Sequence, residues 1–268
     1  MKKIMAKYFG DKDFYKMILA IALPIVIQSL FTNFVAMLDN VMVGKVGTDQ
    51  MTGVAVVNQL FFVFNLAVFG GMSGAGIFSA QYFGRKDHKG VRNVFRMKFI
   101  IGLFVIAISL SIFIILHEPL INMFLHEGGE SGNIAATFHY ARNYLFVMLF
   151  SIIPFVISNC YSTTLKEAGQ TTVPMIAGVI AVVVDFVFNA LLIFGLLGFP
   201  KLGVVGAAIA TVLSRFVECG YLMFYTHRHS DKYQFIIGAY HNLHVPMHLV
   251  KNIITKGTPL SVSYTHLT

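Results

Sequence analysis

Asp185 and Asn189 stand four residues apart in "VVVDFVFNALLIFG", Val182 to Gly195, a stretch that is otherwise apolar. On a helix, residues i and i+4 share a face. A carboxylate and a carboxamide would then project together. Their oxygens suit a hard cation such as Na⁺, or a carboxyl that takes up and returns a proton beside a hydrogen-bonding neighbour. The same pair also fits a plainer role as polar glue between helices, worth about 0.6 kcal/mol per hydrogen bond. Asp39 is a further acid, closing the apolar run in "FTNFVAMLDNVMVGKVG". Arg215 and Glu218 are three apart in another apolar run, a spacing that lets them pair on one helical face.

The solvent around these groups decides what they mean. Of the 268 residues, 56% are hydrophobic and 12% charged, and the mean hydropathy is +0.73. Soluble globular chains carry about 25% charged residues, so this chain lacks the polar surface to coat a body in water. Lipid is the implied solvent. There a charged side chain near the bilayer centre costs about 2.5–3.5 kcal/mol on insertion scales and by default marks an ion or substrate path. Cys160 and Cys219 lie far apart in apolar runs and read as packing residues, with no disulfide or metal spacing.

The elements that must position these groups are long apolar runs at roughly 15–39, 51–80, 95–116, 138–163, 172–198 and 203–225, with a seventh beginning near Val250. Each is long enough to cross a bilayer as a helix. Barrel strands need only about 9–11 residues and alternate in polarity, so the strand reading fails. A signal peptide is not expected, since the first run is too long for one and no small-residue cleavage pattern follows it. The fold class is an all-α polytopic membrane protein. Residues 1–226 form a six-helix lobe, 227–249 an inter-lobe loop and 250–268 the start of a seventh helix.

Charge orients the lobe. Lys2, Lys3, Lys7, Lys12 and Lys16 precede the first run. Arg85, Lys86, Lys89, Arg92, Arg96 and Lys98 follow the second. Lys166, Arg228, Lys232, Lys251 and Lys256 fall in the later alternate connections. The opposite connections hold Lys45, Arg142 and Lys201. The positive-inside rule therefore places the N-terminus in the cytoplasm. The net charge of +8 expresses topology, and nucleic acid is not a partner.

On the first run Pro24, Gln28, Thr32 and Asp39 form one stripe. Pro24 removes a backbone hydrogen bond and predicts a kink, so the stripe reads as the wall of a moving cavity or, equally, as a static bend that neighbours repair. Glycines in "FGGMSGAG" and "LGVVGAAIAT" allow close helix packing. The connection carrying His227, His229, His241, His244 and His248 reads as a solvated linker. His244 and His248 are four apart, a spacing that on a helix could grip a metal, but Pro246 between them disfavours that helix, so no metal site is expected.

The stretches "IALPIVIQSLFTNFVAMLDNVMVGKVG", "SAQYFGRKDHKGVRNVF", "NALLIFG", "GFPKLGVVGAAIAT" and "KGTPLSV" occur in an order and spacing that resembles the multidrug and toxic compound extrusion (MATE) transporters. The resemblance runs to about Val262. It implies a twelve-helix secondary transporter of two pseudo-symmetric lobes, exporting organic cations or drugs against inward Na⁺ or H⁺ from the cell membrane, plasma or inner. This chain would be the N-terminal lobe, and the C-terminal lobe would be its partner. The resemblance further implies that Asp39, Asp185 and Asn189 bind the coupling cation, with Thr211 as a weaker ligand and Pro24 as a hinge lying along the cavity stripe of Gln28 and Thr32. No cofactor, metal or enzymatic activity is implied.

The sequence departs from the family pattern twice. Many members read asparagine and then, four residues later, aspartate, where this chain reads Asp185 then Asn189. Many also carry a glutamate near the position of Tyr264, whereas "SYTHLT" follows here; that pattern predicts a truncated gene model with a foreign tail. A lipid-linked oligosaccharide flippase of related architecture is the nearest alternative, but it asks for a basic cavity and these runs offer chiefly Arg215. A membrane-embedded metalloenzyme rests only on the histidines.

Overall fold

The computed structural model describes residues 12–127, 133–241 and 244–255. The predicted tail beyond 255 lies outside them. Among the described residues the regular structure is helical throughout. It comprises α1 (Lys12–Gly44), α2 (Thr48–Gly84), α3 (His88–Ile115), α4 (His117–Glu127), α5 (Ile134–Glu167), α6 (Thr172–Phe194), α7 (Val204–Arg228) and α8 (residues 247–255), with single 3₁₀ turns at Leu196–Gly198 and Gln234–Ile236. All but α4 and α8 are long and apolar enough to cross a membrane. The chain is a multi-pass membrane protein.

The helices outrun the apolar stretches that announced them. A helix satisfies its backbone hydrogen bonds internally, so it continues into the polar residues at either membrane face. α3 begins at His88, which puts Arg92, Arg96 and Lys98 on its first turns instead of in a loop. Asp87 caps it, accepting from Gly90 N at 2.9 Å. Asn133 caps α5 the same way, through Ala136 N at 3.2 Å.

α5 is the hub. It packs on α2, α3 and α7, and α7 packs in turn on α6. Leu145, Ile152, Tyr161 and Leu165 of α5 are fully buried in the shared core. The α6–α7 contact is close because Gly206 has no side chain: a Cβ there would stand 2.6 Å from the Leu192 carbonyl oxygen. α1 leans chiefly on α6. Only Val35 and Val43 of its residues are buried, while Leu19, Leu23, Leu30 and Phe34 are exposed. In lipid such a surface costs nothing. α1 runs unbroken through Pro24.

The connection that follows α7 reads from its histidines as a solvated linker; those histidines are exposed, but residues between them dock on the bundle. Tyr233, Phe235, Ile236 and Ala239 are buried. Phe235 packs on Phe95 of α3 with ring centroids 5.5 Å apart. Tyr240 stacks on His227 at 5.9 Å and its hydroxyl meets that of Tyr161. The Arg96 guanidinium fastens the loop by donating to the carbonyls of Gly238 at 2.7 Å and Ala239 at 2.9 Å. Beyond it, Leu249 and Ile253 of α8 pack against Ala75, Val94 and Met97.

Candidate functional site

α1 and α6 bring together three of the residues singled out in the sequence. The Asn189 amide nitrogen donates to Asp185 Oδ2 at 3.2 Å, one turn away on α6. It also donates to Asp39 Oδ1 at 2.8 Å, across 150 residues of sequence. The first bond follows from helical register; the second exists only because α1 lies along α6. Asp185 is 8% exposed and Asn189 1%, and Asp39 is half-buried.

The arrangement is incomplete electrostatically. Two carboxylates share one amide, and the amide is neutral. Asp185 Oδ1 and Asn189 Oδ1 are buried without a hydrogen-bond partner. A buried acceptor left unsatisfied costs about 1–3 kcal/mol, and paired like charges in a poorly solvated site cost more. A monovalent cation or a proton would relieve both. Every group converging here offers oxygen, the donor that hard cations require.

α7 supplies the third wall. Thr211 and Ser214 adjoin Asp185. The Thr211 hydroxyl donates to Ala207 O at 3.2 Å and the Ser214 hydroxyl to Thr211 O at 2.8 Å. With those hydrogens occupied, both hydroxyl oxygens keep lone pairs for a cation. Tyr144 of α5 approaches Thr211 and both acids. Tyr144 and Ser214 were missed in the sequence. Ser214 sits three after Thr211 and was open to register reasoning; Tyr144 sits in "RNYLFVML" and carries no signal until the helices are packed.

The α1 stripe does not converge as a unit. Asp39 reaches the site. Gln28 packs on α6 two turns before Asp185, where its amide fills the space that a Cβ on Gly178 would need, 2.6 Å from that position. Thr32 is exposed and bonds back to the Gln28 carbonyl at 2.9 Å. Pro24 is half-buried and donates no bond to Ala20, as its ring requires. Arg215 and Glu218 form the expected pair at 3.0 Å. Among the described residues no cluster of three or more histidine, cysteine, aspartate or glutamate side chains is placed to hold a metal.

The model of the MatE family matches residues 24–191, which include Asp39, Asp185 and Asn189. The chain belongs to the MatE family. Among similar proteins, the "Probable multidrug resistance protein NorM" of Thermotoga maritima is 31% identical over 209 residues, covering 78% of this chain and 44% of the relative. The "Probable multidrug resistance protein YoeA" of Bacillus subtilis is 26% identical over 245 residues, covering 90% of this chain and 50% of the relative. The chain thus spans about half the length of the relatives it matches. The fold agrees with that of MATE crystal structures. One described as "Crystal structure of MATE in the bent conformation" superposes with a TM-score of 0.78 at 23% identity, over 94% of this chain and 53% of that one. An outward-facing MATE transporter of the MOP superfamily gives 0.77 at 24% identity, over 92% and 52%. The MatE architecture therefore accounts for the described lobe, and the site lies within it.

Proposed function

We propose that this MatE lobe works as the cation-coupled half of a multidrug exporter. It would move organic cations or drugs out of the cell in exchange for inward Na⁺ or H⁺, in the plasma or inner membrane, with its N-terminus in the cytoplasm. The single observation behind this reading is the Asn189 amide held between Asp39 and Asp185, with two buried oxygens left for a positive charge. A cation there ties α1 to α6. Its departure frees α1, whose own packing is slight. Pro24, which leaves the Ala20 carbonyl without its helical donor, is the natural point for α1 to bend. Loading of the site and bending of α1 would thus be two sides of one equilibrium, which a cation shifts by binding one state better than the other. The second lobe, in a full-length version, would complete the cavity, with substrate held at the interface of the lobes.

The flippase reading asks for a basic cavity, whereas Arg215 pairs with Glu218 and Lys98 with Glu167. In the full-length protein, Asp39→Asn is expected to abolish gradient-driven dye export while leaving membrane insertion intact. Undiminished gradient-driven export by that variant would sink the proposal.

A further inference from the structure

Arg215 and its partners form a second charged group beside the cation site, and the site as described makes no use of it. On α7, Thr211, Arg215 and Glu218 fall at i, i+4 and i+7, one face of a helix. Thr211 and Ser214 on that helix already adjoin Asp185, and the positive field of Arg215 reaches the same carboxylate. Arg215 Nη1 donates to Glu218 Oε2 at 3.0 Å. Its guanidinium lies over the ring of Phe155 on α5, 5.1 Å from the centroid. A guanidinium carries five N–H donors, so this pairing leaves the fork able to reach a second acceptor. The Arg215 side chain is 34% exposed, with room to swing, and Glu218 is 12% exposed. Glu218 also feels Lys166 of α5, so it keeps a cation nearby if Arg215 departs. On α6, facing Thr211 and Ser214, Asp185 Oδ1 is buried and has no hydrogen-bond partner.

We infer that Arg215 is a tethered competitor of the coupling cation. It rests on Glu218 while the cation occupies the Asp39–Asp185–Asn189 site and swings onto Asp185 Oδ1 when the site empties. This inference rests on the cation-site reading above. It gives the emptied site a resident positive charge, so that release does not require two bare acids to face each other. Arg215 thereby weakens cation binding and hastens release, and Glu218 sets how strongly it competes. The Phe155 ring holds the guanidinium level in the resting position, a cation–π contact that favours arginine.

The test is equilibrium binding of ²²Na⁺ to the purified full-length protein at fixed pH. Removing the competitor in Arg215→Ala is expected to tighten apparent Na⁺ binding by about tenfold, within the range usual for coupled sites. Glu218→Gln releases Arg215 toward Asp185 and is expected to weaken binding by a similar factor. Arg215→Lys, which keeps the charge but loses the stacked fork, still competes and is expected to fall between wild type and Arg215→Ala. A merely structural pair would move Arg215→Ala and Glu218→Gln in the same direction, or neither, and either result overturns the inference. Arg215→Gln, with an amide for Glu218, serves if the alanine variant does not fold. Failure of Na⁺ to bind any variant also overturns it; proton-driven dye export, lost or kept in Asp39→Asn, then tells whether the cation-site reading survives alone.

Discussion

Lys98 offers the sharpest test of the packing. Its side chain is fully buried between α3 and α5. Its ammonium donates to Glu167 Oε1 at 2.7 Å and Oε2 at 2.6 Å, to Thr163 at 3.0 Å and to Thr164 at 3.3 Å. Glu167 is its only ion-pair partner among the described residues. Glu167→Ala would therefore leave a buried ammonium with two hydroxyls and no counter-charge. Breaking a buried pair from one side costs about 3–5 kcal/mol. The threonines already donate to carbonyls of their own helix, Thr163 to Asn159 O and Thr164 to Cys160 O, so their oxygens still accept from Lys98. That retained solvation puts the expected loss at the lower end, about 3 kcal/mol. Lys98→Met combined with Glu167→Leu removes both charges at similar volume and is expected to fall within about 1 kcal/mol of wild type. Denaturant unfolding of the two single variants and the double variant in detergent gives the coupling energy directly. A Glu167→Ala loss below about 0.5 kcal/mol, the scale of an exposed pair, would refute the buried-pair argument.

Two further outcomes follow from close contacts. Gly206→Ala is expected to cost about 1–3 kcal/mol by overpacking, since its Cβ would meet the Leu192 backbone at 2.6 Å, where no flexible side chain can yield; thermal unfolding in detergent measures it. Arg96→Ala is expected to free the loop after α7 by removing its bonds to Gly238 and Ala239. Tryptic cleavage after Lys232 should then quicken by about tenfold or more, since one bond to a charged donor is worth roughly 1.5–3 kcal/mol and 1.4 kcal/mol is tenfold.

The membrane-spanning helices were legible because lipid leaves few options: a long apolar run must satisfy its own backbone, and a helix does so. The Asp185–Asn189 contact was legible for a local reason, since helical register alone sets it. The contact of Asn189 with Asp39 could be expected from resemblance but not from spacing, because it depends on how α1 lies along α6. Tyr144 shows the limit most plainly. It looks like any aromatic in an apolar run until α5 is packed against α6 and α7. Lys98 misled in the other direction, because a lysine beside a basic connection reads as solvated and its partner is 69 residues away. The loop after α7 misled likewise: its histidines suggested water, whereas Phe235, Ile236 and Ala239 among them are what dock it.

The central claim is that Asp39, Asp185 and Asn189 hold a positive charge. Cation occupancy can be measured directly on the purified full-length protein, as saturable ²²Na⁺ binding together with the protons taken up or released, in wild type and in Asp185→Asn. The account predicts a saturable component, of Na⁺ or of protons, in wild type that disappears in Asp185→Asn while the protein stays folded. The same binding and the same proton exchange in both proteins would contradict it.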